Sequence, residues 1–139
     1  MRKKIKEYEI KHFKPLMRLA PGKLGTIKLP KYIIEEECNI LSEVGVYPIP
    51  KGFQTDAASV PFLARLVIPS MSMHFGAVVV HDYYCRLASL HRLYAYRKKA
   101  DDEFYDNLIE CGTNKIRAKI MSFAVKKRGE YLRAIGELK

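Results

Sequence analysis

The chain has 139 residues, is 48% hydrophobic and carries a formal net charge of +10. That length supports one domain, 1–139, able to bury roughly two-thirds of its unfolded surface without staples, and the hydrophobic content excludes an intrinsically disordered chain. Cys38, Cys85 and Cys111, an odd number without zinc-type spacing, exclude a disulfide framework and a structural zinc site. No apolar stretch approaches the roughly 18 residues of a membrane span, and no apolar run follows Met1-Arg2-Lys3-Lys4, so synthesis in the cytoplasm is expected.

Residues 1–60 read as strands and loops. Glu7-Tyr8-Glu9-Ile10-Lys11 alternates weakly, and Ala20-Pro21-Gly22-Lys23 has the composition of a turn. Thr26-Ile27-Lys28-Leu29 alternates cleanly and is expected to end at Pro30. Tyr32-Ile33-Ile34, Ile40-Leu41 and Val44-Gly45-Val46-Tyr47 are further short runs between Pro and Gly. Residues 61–139 read as mainly helical. Phe62–Ile68 predicts one or two helical turns closed by Pro69. Ser70 or Ser72 is placed to cap a helix from about His74 to Ser89, apolar nearly all round and therefore central. A helix from about Lys99 to Cys111 follows, with Ala100, Phe104, Leu108 and Cys111 on one face and Gly112 as its C-cap. Thr113 or Asn114 caps a last helix, whose inner stripe is expected to be Ile116, Ile120, Phe123 and Ala124, with Gly129 as a possible break. Strands first and helices after predict an α+β fold, antiparallel strands followed by three or four helices.

The basic residues gather at the two ends: Arg2, Lys3, Lys4 and Lys6, then Lys115, Arg117, Lys119, Lys126, Lys127, Arg128 and Arg133. Such a surface either is simply solvated or draws polyanions, nucleic acid among them.

The chemistry-bearing residues interrupt apolar runs. Ala77-Val78-Val79-Val80 ends in His81-Asp82, and a buried unpaired carboxylate is costly. Within Arg97-Lys98-Lys99-Ala100-Asp101, the Asp101 carboxylate is in a position to reach the His81 imidazole from an antiparallel helix, fixing its tautomer as the third member of a nucleophile-activating triad does. The same pair also reads as a core histidine with its partner. Asp82 is a candidate cation ligand, a loop anchor, or a surface partner of Arg86. In Gly52-Phe53-Gln54-Thr55-Asp56-Ala57-Ala58-Ser59-Val60-Pro61, Asp56 is either a loop-organising carboxylate or a further ligand. Gly52, Thr55, Ser59 and Pro61 shape the loop, Ser59 as a helix cap. Cys85, inside an apolar run, is expected to have a raised pKa and to be inert.

Together these three blocks, from about Val46 to Arg128, resemble domain-of-unknown-function family 1353, small proteins of bacteriophages and prophages. The resemblance implies a viral origin, synthesis in a host cytoplasm, other virion proteins as partners, and a shared site of Asp56, His81, Asp82 and Asp101. The His-Asp helix is also similar to that of the secretory phospholipases. That similarity implies His81 as base, Asp101 as its orienter and Asp82, with Asp56, as ligands of a divalent cation, calcium. Position 85 is Cys where those enzymes carry Tyr, and their glycine-rich calcium loop and disulfides are missing here.

Three functions follow as expectations: a hydrolase acting on a lipid or envelope ester, a non-enzymatic virion or accessory protein, and a nucleic-acid-contacting protein.

Overall fold

A computed structural model describes residues 4–24, 27–55 and 74–139, with side chains described outside 21–31. Strands occupy the first part: β1 (Lys6–Glu9), β2 (Met17–Leu24), β3 (Ile27–Ile34), β4 (Cys38–Leu41), β5 (Val46–Ile49) and β6 (Gln54–Thr55), with a single 3-10 turn at Ile10–His12. Among the described residues three helices follow: α1 (Phe75–His91), α2 (Tyr94–Glu110) and α3 (Lys115–Ala134). This is the α+β arrangement expected.

The strands form two small sheets, ordered β1-β4-β5 and β2-β3-β6. Most pairs are antiparallel, as expected, but β1 runs parallel to β4. Pro21 does not sit in a turn and Pro30 does not end a strand: both lie inside a long β2–β3 pairing, opposite one another in register. Two opposed prolines fit a ladder only where the backbone nitrogens of the pair face away from the partner strand. The β4–β5 connection is built by Ser42, whose N–H donates to the Gly45 carbonyl while its Oγ accepts from the Val44 and Gly45 amides.

The core is continuous between the strands and the helices. Ile34 at the end of β3, with Ile40, Tyr47 and Ile49 of β4 and β5, joins Val78 and Val79 of α1, Phe104 and Leu108 of α2, and Met121 and Val125 of α3 in one cluster. Gly76 brings α1 against the 3-10 turn: a Cβ there would lie 2.2 Å from the Ile10 carbonyl oxygen.

Helix boundaries depart from expectation in informative ways. The start of α1 is capped at its backbone by His74, whose side chain makes no cap bond, while Ser70, Ser72 and Phe62–Ile68 lie outside the described residues. Helix α2 begins at Tyr94, five residues before the expected Lys99. Its first turns are strong helix formers joined by Arg97–Asp101, Lys98–Asp102 and Lys99–Glu103 pairs one turn apart, and such pairs support a helix that shows no apolar period. Its end is as expected. The Thr113 amide donates to the Leu108 carbonyl and the Gly112 amide to that of Ile109, the paired bonds of a Schellman cap, with Gly112 at φ +92°. Asn114 caps α3, its Oδ1 accepting from the Ile116 amide at 2.8 Å.

The expected inner stripe of α3 is the reverse of the observed one. Ile116 is 70% exposed and Phe123 64%, Ile120 is exposed, and only Ala124 of the four is partly buried. The buried face is Ala118, Met121, Ser122, Val125 and Gly129. Small residues let α3 approach α2 closely, and Gly129 does not break the helix but sits at the contact.

Candidate functional site

His81 leaves α1 from its buried face and meets α2. Its Nε2 lies 2.7 Å from Asp101 Oδ1. Arg97, one turn before Asp101 on α2, shares its Nε–H between the two carboxylate oxygens at 3.1 and 3.0 Å. The Arg97 Nη2 donates onward to the Val125 carbonyl of α3 at 2.7 Å. The His81 ring tilts over Phe104 with centroids 4.5 Å apart. One cluster thus joins all three helices.

The cluster is dry. Side-chain exposure is 0% for His81, 3% for Asp101 and 8% for Arg97. Burial pushes the His81 pKa below its ordinary 6.5, the hydrogen bond to the Asp101 carboxylate opposes this, and the Arg97 cation reinforces it. The neutral imidazole follows. With Asp101 an acceptor facing Arg97, Nε2 carries the hydrogen and donates, leaving Nδ1 with the lone pair. The group is therefore charge-balanced: one cation, one carboxylate, one neutral ring.

Cys85, one turn after His81, does not complete a triad. Its Sγ is 3.6 Å from Nδ1 and 3.8 Å from Nε2. Near-equidistance from both nitrogens places the sulfur over the ring, whereas a thiol aimed along one lone pair stands far from the other nitrogen. Burial pushes its pKa up to about 12, the raised value expected of it, so the thiol holds its proton at neutral pH.

His81, Cys85 and Asp101 are also the group of three metal-ligand side chains among the described residues. Its mixed nitrogen, sulfur and oxygen donors do not suit calcium, which takes 6–8 oxygens, and Arg97 already holds both oxygens of the carboxylate. Asp82 follows His81 on α1, is half-buried, and stands outside that group. Asp56, Ser59 and Pro61 lie outside the described residues. Gly52 turns the chain at φ +87°, where its amide donates to the Ile34 carbonyl at 2.7 Å. Thr55 is buried and paired in register with Tyr32.

Two members of the cluster escaped sequence reasoning in these roles. Arg97 is flagged by its one-turn spacing from Asp101 once α2 is started early enough. Gly129 is flagged by being a glycine in a helix interior: a Cβ there would stand 2.6 Å from Asp101 Oδ2.

A second buried histidine, His74, shares a hydrogen bond between Nδ1 and the Thr113 hydroxyl at 2.5 Å. Burial, with Arg117 nearby, lowers its pKa from 6.5 as well. Both histidines therefore bind protons more readily in the unfolded chain. Stability contributed this way is full above pH 6.5 and is lost as pH falls below it. Glu36, lowered from 4.5 chiefly by the Tyr8 hydroxyl, acts in the same direction only at more acid pH. Thermal melts are expected to show the melting temperature already falling just below pH 6.5, before carboxylates titrate. A flat profile down to the carboxylate range contradicts the buried neutral histidines.

The fold and cluster define an α+β protein whose helices are joined by a buried Arg-Asp-His network. Residues 32–125 match the family model described as protein of unknown function (DUF1353), and the chain belongs to that family. No curated protein and no solved structure matches the chain.

Proposed function

We propose that this is a phage-encoded, non-catalytic virion or accessory protein, in which Arg97, Asp101 and His81 bolt the helices together. The carrying observation is that His81 has no exposed side-chain surface while both Asp101 oxygens are engaged inside the protein. A general base must come within hydrogen-bond reach of the proton it removes, and this ring is enclosed by Asp101, Cys85 and Phe104. The phage assignment rests on the resemblance of the three sequence blocks.

A hydrolase is the second reading. The 2.7 Å contact that orients the ring and leaves Nδ1 to take up a proton favours it. His81→Asn separates the two. The structural role predicts a loss of about 2 kcal/mol in stability, because a buried carboxylate loses a donor, with the wild type inert on esters in the presence or absence of calcium. The hydrolase predicts a wild-type activity that drops ~10²–10⁴-fold in the variant. Thermal melts beside an ester-hydrolysis assay read both. The nucleic-acid reading has the basic ends in its favour and is decided by the experiment that closes the next subsection.

A further inference from the structure

The outward face of α3 has no use in the fold described. Ile116, Ile120, Phe123 and Tyr131 recur at helical spacing and are 70%, 41%, 64% and 52% exposed. They lie opposite the buried face of Ala118, Met121, Val125 and Gly129. Basic side chains border the stripe on both edges: Lys115, Lys119 and Lys126 on one, Arg117 and Arg128 on the other. Lys127 falls within it and folds its ammonium over the Phe123 ring at 5.4 Å, as a lysine does when it covers apolar surface and holds its charge outward. In the whole helix the only acidic residue is Glu130, which Lys127 pairs at 3.3 Å.

We infer that α3 docks flat on an anionic lipid surface. An apolar centre between two basic edges is the pattern of a helix lying in a membrane interface, apolar side chains in the acyl boundary and cations at the headgroups. Among the described residues no helix is long and apolar enough to cross a membrane, so the contact is peripheral. A second copy of this chain fits poorly, because pairing the stripe with itself brings the basic edges together. Nucleic acid engages cations through its phosphates and gives the exposed Ile116, Ile120 and Phe123 no role.

The test is co-sedimentation of the full chain with vesicles of phosphatidylcholine alone and of equal parts phosphatidylcholine and phosphatidylglycerol. Binding is expected to the mixed vesicles only, and to weaken as salt rises. Phe123→Ser is expected to reduce it about tenfold. Lys119→Gln and Lys126→Gln are expected to reduce it about fivefold each. All three side chains are exposed, so melting temperatures should be unchanged, which separates lost docking from lost folding. Absence of binding to the mixed vesicles at low salt overturns the inference, as does equal binding to phosphatidylcholine alone. So does tight binding of a DNA duplex that Phe123→Ser leaves intact, or a dimer in sedimentation that Phe123→Ser dissociates.

Discussion

Asp101→Ala is expected to cost about 3 to 5 kcal/mol in urea denaturation, the range for removing one partner of a buried ion pair. The loss has three parts. Arg97 keeps its charge in a site where it is 8% exposed, with the Val125 carbonyl as its remaining hydrogen-bond acceptor among the described residues. The His81 Nε2–H loses its acceptor. The missing carboxylate leaves a void beside the His81 ring. Pairing the change with Arg97→Met should recover much of the loss, since deleting both charges removes the unpaired ion, and the two effects should be far from additive. A single variant that loses less than about 1 kcal/mol, the range of exposed pairs, contradicts a desolvated network.

Gly129→Ala is expected to destabilise by about 3 kcal/mol, against the usual sign. In an exposed helix interior the same change stabilises by up to about 1 kcal/mol. Here the new Cβ would stand 2.6 Å from Asp101 Oδ2, 3.0 Å from Arg97 Cγ and 3.1 Å from Arg97 Nε. None of these is the free end of a flexible chain. The carboxylate is fixed by His81 and Arg97, and Arg97 is fixed at its far end by Val125. Relief requires α3 to move from α2 or the ion pair to open, and overpacking of this kind outweighs the helix preference. Matched urea curves of wild type and variant check it. A stabilised variant means that α3 does not approach Asp101 so closely.

The parts legible in the sequence are those written in local chemistry. Asn114 and Gly112 act as caps because side-chain and backbone geometry at helix ends is decided within a few residues. The His81–Asp101 contact is legible because a polar group ending the apolar run Ala77–Val80 needs a partner, and the next helix offers one. Other features depend on what the chain packs against. The start of α2 carries no apolar period, since Arg97, Lys98 and Lys99 stabilise it through ion pairs. The α3 stripe is not legible in the sequence because hydrophobicity ranks Ile116, Ile120 and Phe123 above Ala118, Ser122 and Gly129. The close approach of α2 selects for small size, and the bulky stripe is left outside. Pro21 and Pro30 signal turns when read singly, and only their mutual register shows how one ladder accommodates both.

The network also divides the molecule by the length of chain its bonds close. His81 and Asp101 are 20 residues apart, and Arg97 and Val125 are 28. The hydrogen bonds that tie the first part of the chain to α2 and its end span more: 56 residues from Tyr47 to Glu103, 60 from Tyr47 to Asn107, and 101 from the Ile10 carbonyl of the 3-10 turn to Cys111. Loop closure over short separations is faster and less costly in chain entropy. The buried network therefore ties the three helices together at a smaller chain-entropy cost than the hydrogen bonds that tie Tyr47 and Ile10 to them.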